Sequence, residues 1–292
     1  MSSVWHWPKR QRLALSLVVN AEEGSEYSVA EGDKLTEPVD ELGAVMKKPL
    51  RSHGNESNYR YGIEEGARRV VALLDTAGVP VTWTAAAVSL ERAPEVAAAI
   101  RRRGDEVCSH GYRWIHQFRM NEADEHTFIR NAVQSIARTT GKPPQGWLSR
   151  YFHTEHTRRL LHQEGFLYHM DDYSADTPFW GAVPGGGQMV VVPYALDSND
   201  MKMWIAPSYS PDAWLKYAID SFDWLYAEGA APHAPRMMSL GLHLRIIGRP
   251  GRIGALQKFL AYVTAKPDVW ITTRAAVASH FAANVPAPAD AA

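Results

Sequence analysis

The chain has 292 residues, 46% of them hydrophobic, enough to bury a large core as one barrel-sized domain or as two smaller ones. Lysine and arginine total 31 against 32 acidic residues, a formal net charge of −1, so no basic field draws in nucleic acid or an anionic membrane. A single cysteine, Cys108, excludes an intramolecular disulfide and any cysteine-cluster metal site, and small neutral or weakly charged ligands stay open as partners.

The amino end, M-S-S-V-W-H-W-P-K-R, carries no apolar core of signal-peptide length, and no run approaches the roughly 18 apolar residues of a membrane helix; a cytoplasmic protein is expected. Residues 1–10 read as an N-terminal arm whose Trp5 and Trp7 pack either at a subunit contact or on the domain's own core. The run from Leu13 to Val19 lacks polar alternation and predicts a strand covered on both faces, ending at Asn20-Ala-Glu22-Glu23-Gly24. From there to about Tyr61 the chain is polar and aperiodic, a long loop expected to form an ordered cover over a site.

Helical spacing resumes at Ile63 and stops at Gly78, a residue suited to a helix end. A second strand follows from Val79, then a helix from Pro94 to Arg103, and a strand that delivers His110 at its carboxyl end. Helices are expected over 121–140 and 154–164, strands over 166–169 and 189–194, and then helix 211–228, strand 238–243, helix 252–266, strand 269–272 and a closing helix to about Asn284. Residues 285–292 read as a frayed tail. Strand-length runs alternate with helices and no linker divides them, so residues 11–284 are expected to form one α/β domain with a mainly parallel sheet. Polar residues at successive strand ends favour a barrel, closed or nearly so.

Those strand ends carry the candidate chemistry. Glu22 and Glu23 follow one strand, and alternation along an extended chain lets at most one of them face a given cavity squarely. With His110 and His243 at other strand ends, a carboxylate and two imidazoles converge as general acid–base catalysis of acyl transfer requires. Trp114 stands four residues after His110, where a zinc site would want a second histidine, and His153 and His156 define no ligand set by spacing alone. If the chain stays extended, His243 and Arg245 point the same way and can address one ligand. No P-loop, dinucleotide fingerprint or nucleophile elbow is present, so no nucleotide cofactor is implied.

Four ordered segments, N-A-E-E-G (20–24), S-H-G-Y-R-W (109–114), V-P-Y-A-L-D-S-N-D-M (192–201) and S-L-G-L-H-L-R-I-I-G-R-P (239–250), resemble the polysaccharide deacetylase superfamily, within it the branch of metal-independent allantoinases and related cyclic amide hydrolases. The resemblance runs from about Leu13 to Phe281 and implies a deformed (β/α) barrel of about seven parallel strands with its site at the strand carboxyl ends. Metal-dependent members carry an aspartate pair where this chain has Glu22 and Glu23, and two histidines where it has His110 and Trp114; the late superfamily histidine matches His243. The same resemblance implies a hydrolase that opens a cyclic amide or ureide C–N bond without metal or other cofactor. Glu22 or Glu23 would activate water, through a raised pKa or close imidazole pairing; His110 would position the water or the carbonyl, and His243 with Arg245 would support the oxyanion and leaving nitrogen. Trp114, Arg150, Tyr194, Asp197, Arg245 and Glu56 are the expected substrate contacts. Loop departures at 56–64, 146–151 and 169–171 leave the ring itself open: another cyclic imide, a hydantoin-type ring or a linear amide are alternatives to allantoin. A metal-dependent deacetylase of an N-acetylated sugar and a non-catalytic binding barrel are further alternatives. Relatives imply a homo-oligomer, with a tetramer as one form.

Overall fold

The computed structural model describes residues 5–39, 41, 47–205, 207–231 and 235–289. Nine strands make one curled sheet: β1 (Leu13–Ala21), β2 (Thr82–Ala85), β3 (Glu106–Ser109), β4 (Gly146–Trp147), β5 (Tyr168–His169), β6 (Phe179–Ala182), β7 (Gln188–Val191), β8 (Arg236–His243) and β9 (Val269–Ile271). Their order is β6-β7-β5-β4-β3-β2-β1-β8, with β9 also on β1. All pairings are parallel except β6 with β7, so eight strands run parallel where about seven were expected.

The sheet forms a deformed (β/α) barrel whose seam, between the edge strands β6 and β8, is filled by loop chain and a short 3-10 turn, Asp200–Met203. Ser198 anchors that filler: its carbonyl accepts the Gly241 N–H at 3.0 Å and its hydroxyl donates to the Ser239 carbonyl at 2.6 Å.

Side-chain parity in the strands sorts the interior into two cores. Leu13, Leu15, Leu17, Val19 and Ala21 face the outer helices, whereas Ala14 and Val18 face the barrel lumen with Cys108, Leu148, Tyr168 and Met237. Trp7 belongs to the lumen cluster: it is buried, donates its indole N–H to the Arg236 carbonyl at 2.8 Å and meets Trp5 edge-on at 4.7 Å. Of the two readings of that indole pair, the structure supports capping of the domain's own core. Residues 1–4 of the arm and 290–292 of the tail lie outside the described residues.

Helix ends follow their sequence signals. Asn121 caps helix Glu122–Thr140 by accepting from Asp124 N–H, Ser210 caps Pro211–Glu228 by accepting from Ala213 N–H, and Gly78, Gly104 and Gly141 close their helices at φ of +62°, +69° and +81°.

Two regions depart from expectation. The helix placed at Ile63 begins at His53, capped by Ser52, and runs through a π-helical turn, Gly62–Gly66, into Ala67–Ala77. Its first turns, H-G-N-E-S-N, hold poor helix formers and no apolar stripe, so contacts with the preceding loop compensate: Asn55 donates to the Glu37 carbonyl and Tyr59 to the Val39 carbonyl. The segment read as one long loop is thus about one quarter helix, and its residues 40 and 42–46 lie outside the described residues. The second departure is β6, which forms a hairpin with β7 across Gly185, Gly186 and Gly187, all at positive φ.

The π-turn brings the helix against the carboxyl ends of the strands with no room for side chains. A Cβ on Gly66 would lie 2.1 Å from the Leu244 carbonyl oxygen, a backbone atom that has to move to make space. Gly66→Ala is therefore expected to destabilise the fold by about 1–3 kcal/mol, read as a lower urea midpoint at unchanged m-value.

Candidate active site

The register levels the strand ends. Asn20 pairs with His243 across β1 and β8, and Ala21, Ala85 and Ser109 align across β1, β2 and β3. Glu22 and His110 therefore leave the sheet at one height and His243 two residues lower, beside Asn20; all three have lumen-facing parity, and they line one cavity of ≈ 230 Å³ with Asn20, Trp114 and Tyr194. A larger depression of ≈ 640 Å³ lies at the opposite end of the barrel, beside Gly104 and Thr273. Its Glu106 is already occupied by Thr82, Tyr168 and the Ala275 N–H.

Glu22 sits at the centre. Its Oε1 is 3.4 Å from His110 Nε2 and 3.5 Å from His243 Nε2, and its Oε2 accepts from Arg245 at 2.9 Å. Burial opposes the negative charge, yet the charges of His243 and Arg245 outweigh it and hold Glu22 well below the usual carboxylate range. The raised pKa expected of a base is absent here; the close imidazole pairing is present.

Glu23 faces the other way. It accepts from the backbone N–H of Glu22 and of Arg245, both at 3.1 Å, under Gly62 and outside the cavity, and burial pushes its pKa up against the pull of Arg245. Alternation along the chain thus separates the two carboxylates: Glu22 faces the cavity and Glu23 fixes the start of the next helical turn.

His243 is oriented by a residue that sequence reasoning did not single out. Its Nδ1 lies 2.6 Å from Asp200 Oδ1, and Asp200 Oδ2 accepts the His243 and Ile247 backbone N–H groups at 2.7 and 3.2 Å. Burial works against an imidazolium, but Glu22 and Asp200 on either side push the His243 pKa up to about 10. The signal for Asp200 lay in S-N-D-M (198–201), where Asp197 drew attention instead. Asp197 is exposed, accepts from Tyr217 at 2.8 Å and lines a neighbouring depression outside the cavity.

His110 is fully engaged. Its Nδ1 is 2.7 Å from the Leu148 carbonyl, which only accepts, and its Nε2 is 3.0 Å from the Trp114 indole N–H, which only donates. These partners put the ring proton on Nδ1 and leave the Nε2 lone pair on the indole. The arrangement does not fit a divalent cation. Trp114 occupies the second histidine position, has no ligating atom, and blocks the Nε2 atom that would have to coordinate. Among the described residues no group of three or more His, Cys, Asp or Glu side chains could hold one.

Tyr194 offers a donor. Its hydroxyl oxygen accepts from Asn20 Nδ2 at 3.3 Å and Asn199 Nδ2 at 3.2 Å. Neither amide can turn round: Asn20 Nδ2 also donates to the Leu242 carbonyl while its oxygen accepts from Thr84, and Asn199 Oδ1 accepts the Met201 N–H. With both lone pairs taken, the phenolic proton is left to point into the cavity, and burial raises the Tyr194 pKa so that it stays a phenol.

The other expected contacts divide. Arg150 lines the cavity, but its guanidinium is committed to Glu37 at 2.8 Å and to the Trp114 carbonyl at 2.7 Å, and it lies 3.7 Å from the centre of a Trp114 ring. Arg245 is not in an extended segment: the chain turns helical at Leu244–Ile247, which seats the guanidinium behind Glu22, over the Tyr59 ring and away from the cavity. Glu56 pairs with Arg51 at 2.9 Å on the outside of the cover.

Known proteins share this architecture. The chain is 41% identical to PuuE allantoinase, with a TM-score of 0.91 over 97% of this chain and 94% of that one. It is 39% identical to a probable polysaccharide deacetylase from Pseudomonas aeruginosa PAO1, at a TM-score of 0.91 over 97% and 95% of the two chains. A putative polysaccharide deacetylase of Schizosaccharomyces pombe is 35% identical over 96% of this chain and 93% of its own. Residues 58–168 match the polysaccharide deacetylase family. The barrel, the level strand ends and relatives matched over nearly the whole length lead to one conclusion: the chain belongs to the polysaccharide deacetylase family and is a hydrolase of that superfamily.

Proposed function

We propose that the protein opens a cyclic amide, imide or ureide ring by general acid–base attack of water, with no metal step, as the name of its 41%-identical structural relative suggests. The observation that carries this reading is the Glu22–His243 pair, a base held ionised and an acid held protonated 3.5 Å apart, with Asp200 behind the imidazole. Glu22 takes a proton as the water oxygen bonds to the ring carbonyl carbon. The carbonyl electron pair moves to oxygen, where the Tyr194 O–H meets it. On collapse the C–N bond breaks and His243 gives its proton to the departing nitrogen. Glu22 then returns its proton to His243, and the product is the ring-opened carboxylic acid.

The low resting pKa of Glu22 is compatible with a base, because the two groups are coupled. Its low pKa keeps it ionised and ready to accept at the moment of attack, and once Glu22 is protonated the negative charge that raises His243 disappears, so the imidazolium gives its proton more readily to the departing nitrogen. His110 is a positioning residue, since both ring nitrogens are used. A cavity of ≈ 230 Å³ is smaller than the roughly 300–1,000 Å³ of sites for drug-sized ligands, which suits one small ring better than a saccharide chain.

A pH-stat screen with allantoin, hydantoin, succinimide and N-acetylated chitooligosaccharides, on protein before and after exhaustive chelation, tests the reading. Ring opening that survives chelation is the expected result; release of acetate that depends on added zinc would replace it with the deacetylase reading. Tyr194→Phe is expected to lower kcat by about 10²–10³-fold on any ring that is opened, with far-ultraviolet dichroism unchanged.

A further inference from the structure

The rim of the cavity has a character that acid–base chemistry does not use. Tyr151, Tyr173, Leu196 and Ile205 are between 45% and 55% exposed, and all four line this one cavity. Exposed large apolar side chains gathered at one mouth mark a contact surface. The catalytic groups lie at its floor, so whatever enters to react passes between these four.

Tyr151 sits there against its backbone preference. Its φ is +57°, a left-handed conformation in which glycine is unstrained and a tyrosine is not. The ring is braced by His116, 6.0 Å away, which also packs against Phe118 and Phe152. A strained residue held in place at the entrance of a reactive site points to use of its side chain.

We infer that Tyr151, Tyr173, Leu196 and Ile205 form a collar for a non-polar substituent, aromatic or branched aliphatic, on the ring whose amide reaches Glu22 and His243. This rests on the ring-opening reading and narrows it. The substrate class is a small cyclic amide or imide carrying an apolar group next to the scissile bond, in place of a polar tail. The polar edge of the ring meets Tyr194 and Glu22 on the floor while the substituent stays among the four side chains at the rim.

The test compares hydantoin with 5-benzylhydantoin and 5-isobutylhydantoin, by calorimetric binding and by kcat/KM, on wild type and Tyr151→Gly. Glycine suits the backbone at this position, so the variant is expected to fold, with circular dichroism as the check. The expected result is binding of the substituted rings about 10–100-fold tighter than hydantoin, and a drop of about tenfold in that ratio in Tyr151→Gly. Turnover of all three rings at equal kcat/KM, with equal binding, overturns the collar and leaves ring opening standing. Preferential binding of the substituted rings with no turnover keeps the collar and removes ring opening. Absence of binding by every ring overturns both. A change of sedimenting mass in Ile205→Ser with the ligand ratio intact would give the rim to a second copy of the chain and overturn the collar.

Discussion

Glu22→Gln is expected to lower kcat by about 10²–10⁴-fold while the protein stays folded. The amide keeps the shape and still accepts from Arg245, and Glu23, 3.6 Å from the same guanidinium, retains part of its counter-charge. The stability loss should therefore fall below the about 3–5 kcal/mol of breaking a buried ion pair outright. A second readout separates catalysis from packing. In wild type, activity needs Glu22 ionised and His243 protonated, so kcat/KM should be flat through neutral pH and fall as pH rises through about 10, where His243 loses its proton. The Glu22 charge is the largest influence raising that pKa, after burial, which lowers it. In Glu22→Gln the alkaline fall of the residual activity should move toward neutrality. Stability follows the same sign: a histidine whose folded pKa lies above its ordinary value of about 6.5 adds stability that is complete below that pH and lost as pH rises through about 10. An alkaline limb that does not move in the variant would separate Glu22 from His243 and undo the pairing.

Asp200→Asn is expected to have a comparable effect by another route. The carboxylate accepts three N–H groups, from His243 Nδ1, His243 N and Ile247 N. An asparagine replaces one acceptor oxygen with a donor, so one buried N–H loses its partner at about 1–3 kcal/mol, or the imidazole takes the other tautomer. In the second case Nδ1 accepts from the amide and the imidazolium is no longer supported. A fall in kcat of about 10²–10⁴-fold is expected, with KM less affected and the alkaline limb shifted down. Asp200 is a positioning residue, and a pH profile unchanged from wild type, with only thermal stability lowered, would reduce it to a structural one.

Much of this was readable in the chain because strand periodicity and strand ends are local signals. The run 13–19, the glycine stop at 78 and the helices ending at Arg103 and Thr140 all depend on nearby residues, and each lies where expected. The alternation argument also reached the site, since it allowed only one of Glu22 and Glu23 into the cavity. What stayed hidden depends on contacts distant in sequence. The helix at His53 is held by Glu37 and Val39, and Arg150 is occupied by Glu37, 113 residues away, so neither could be read from spacing. Arg245 was placed by assuming an extended chain, but Asp200 and Glu23 accept backbone N–H groups after His243 and start a helical turn there. Asp200 itself opens a 3-10 turn, Asp200–Met203, too short for periodicity to mark a residue as inward.

The open seam between β6 and β8 separates the proposed catalytic groups into two sets by how they are built. Glu22, the proposed base, follows a nine-residue central strand locked on three neighbours, where an insertion would shift the register of the whole sheet. The phenol, its two amides' second member Asn199, the carboxylate behind the imidazole, and the rim residues Leu196 and Ile205 all ride on the filler at 194–205. Substitutions in that stretch therefore act at once on the support of His243 and on the rim of the cavity, and leave the strand that ends at Glu22 untouched.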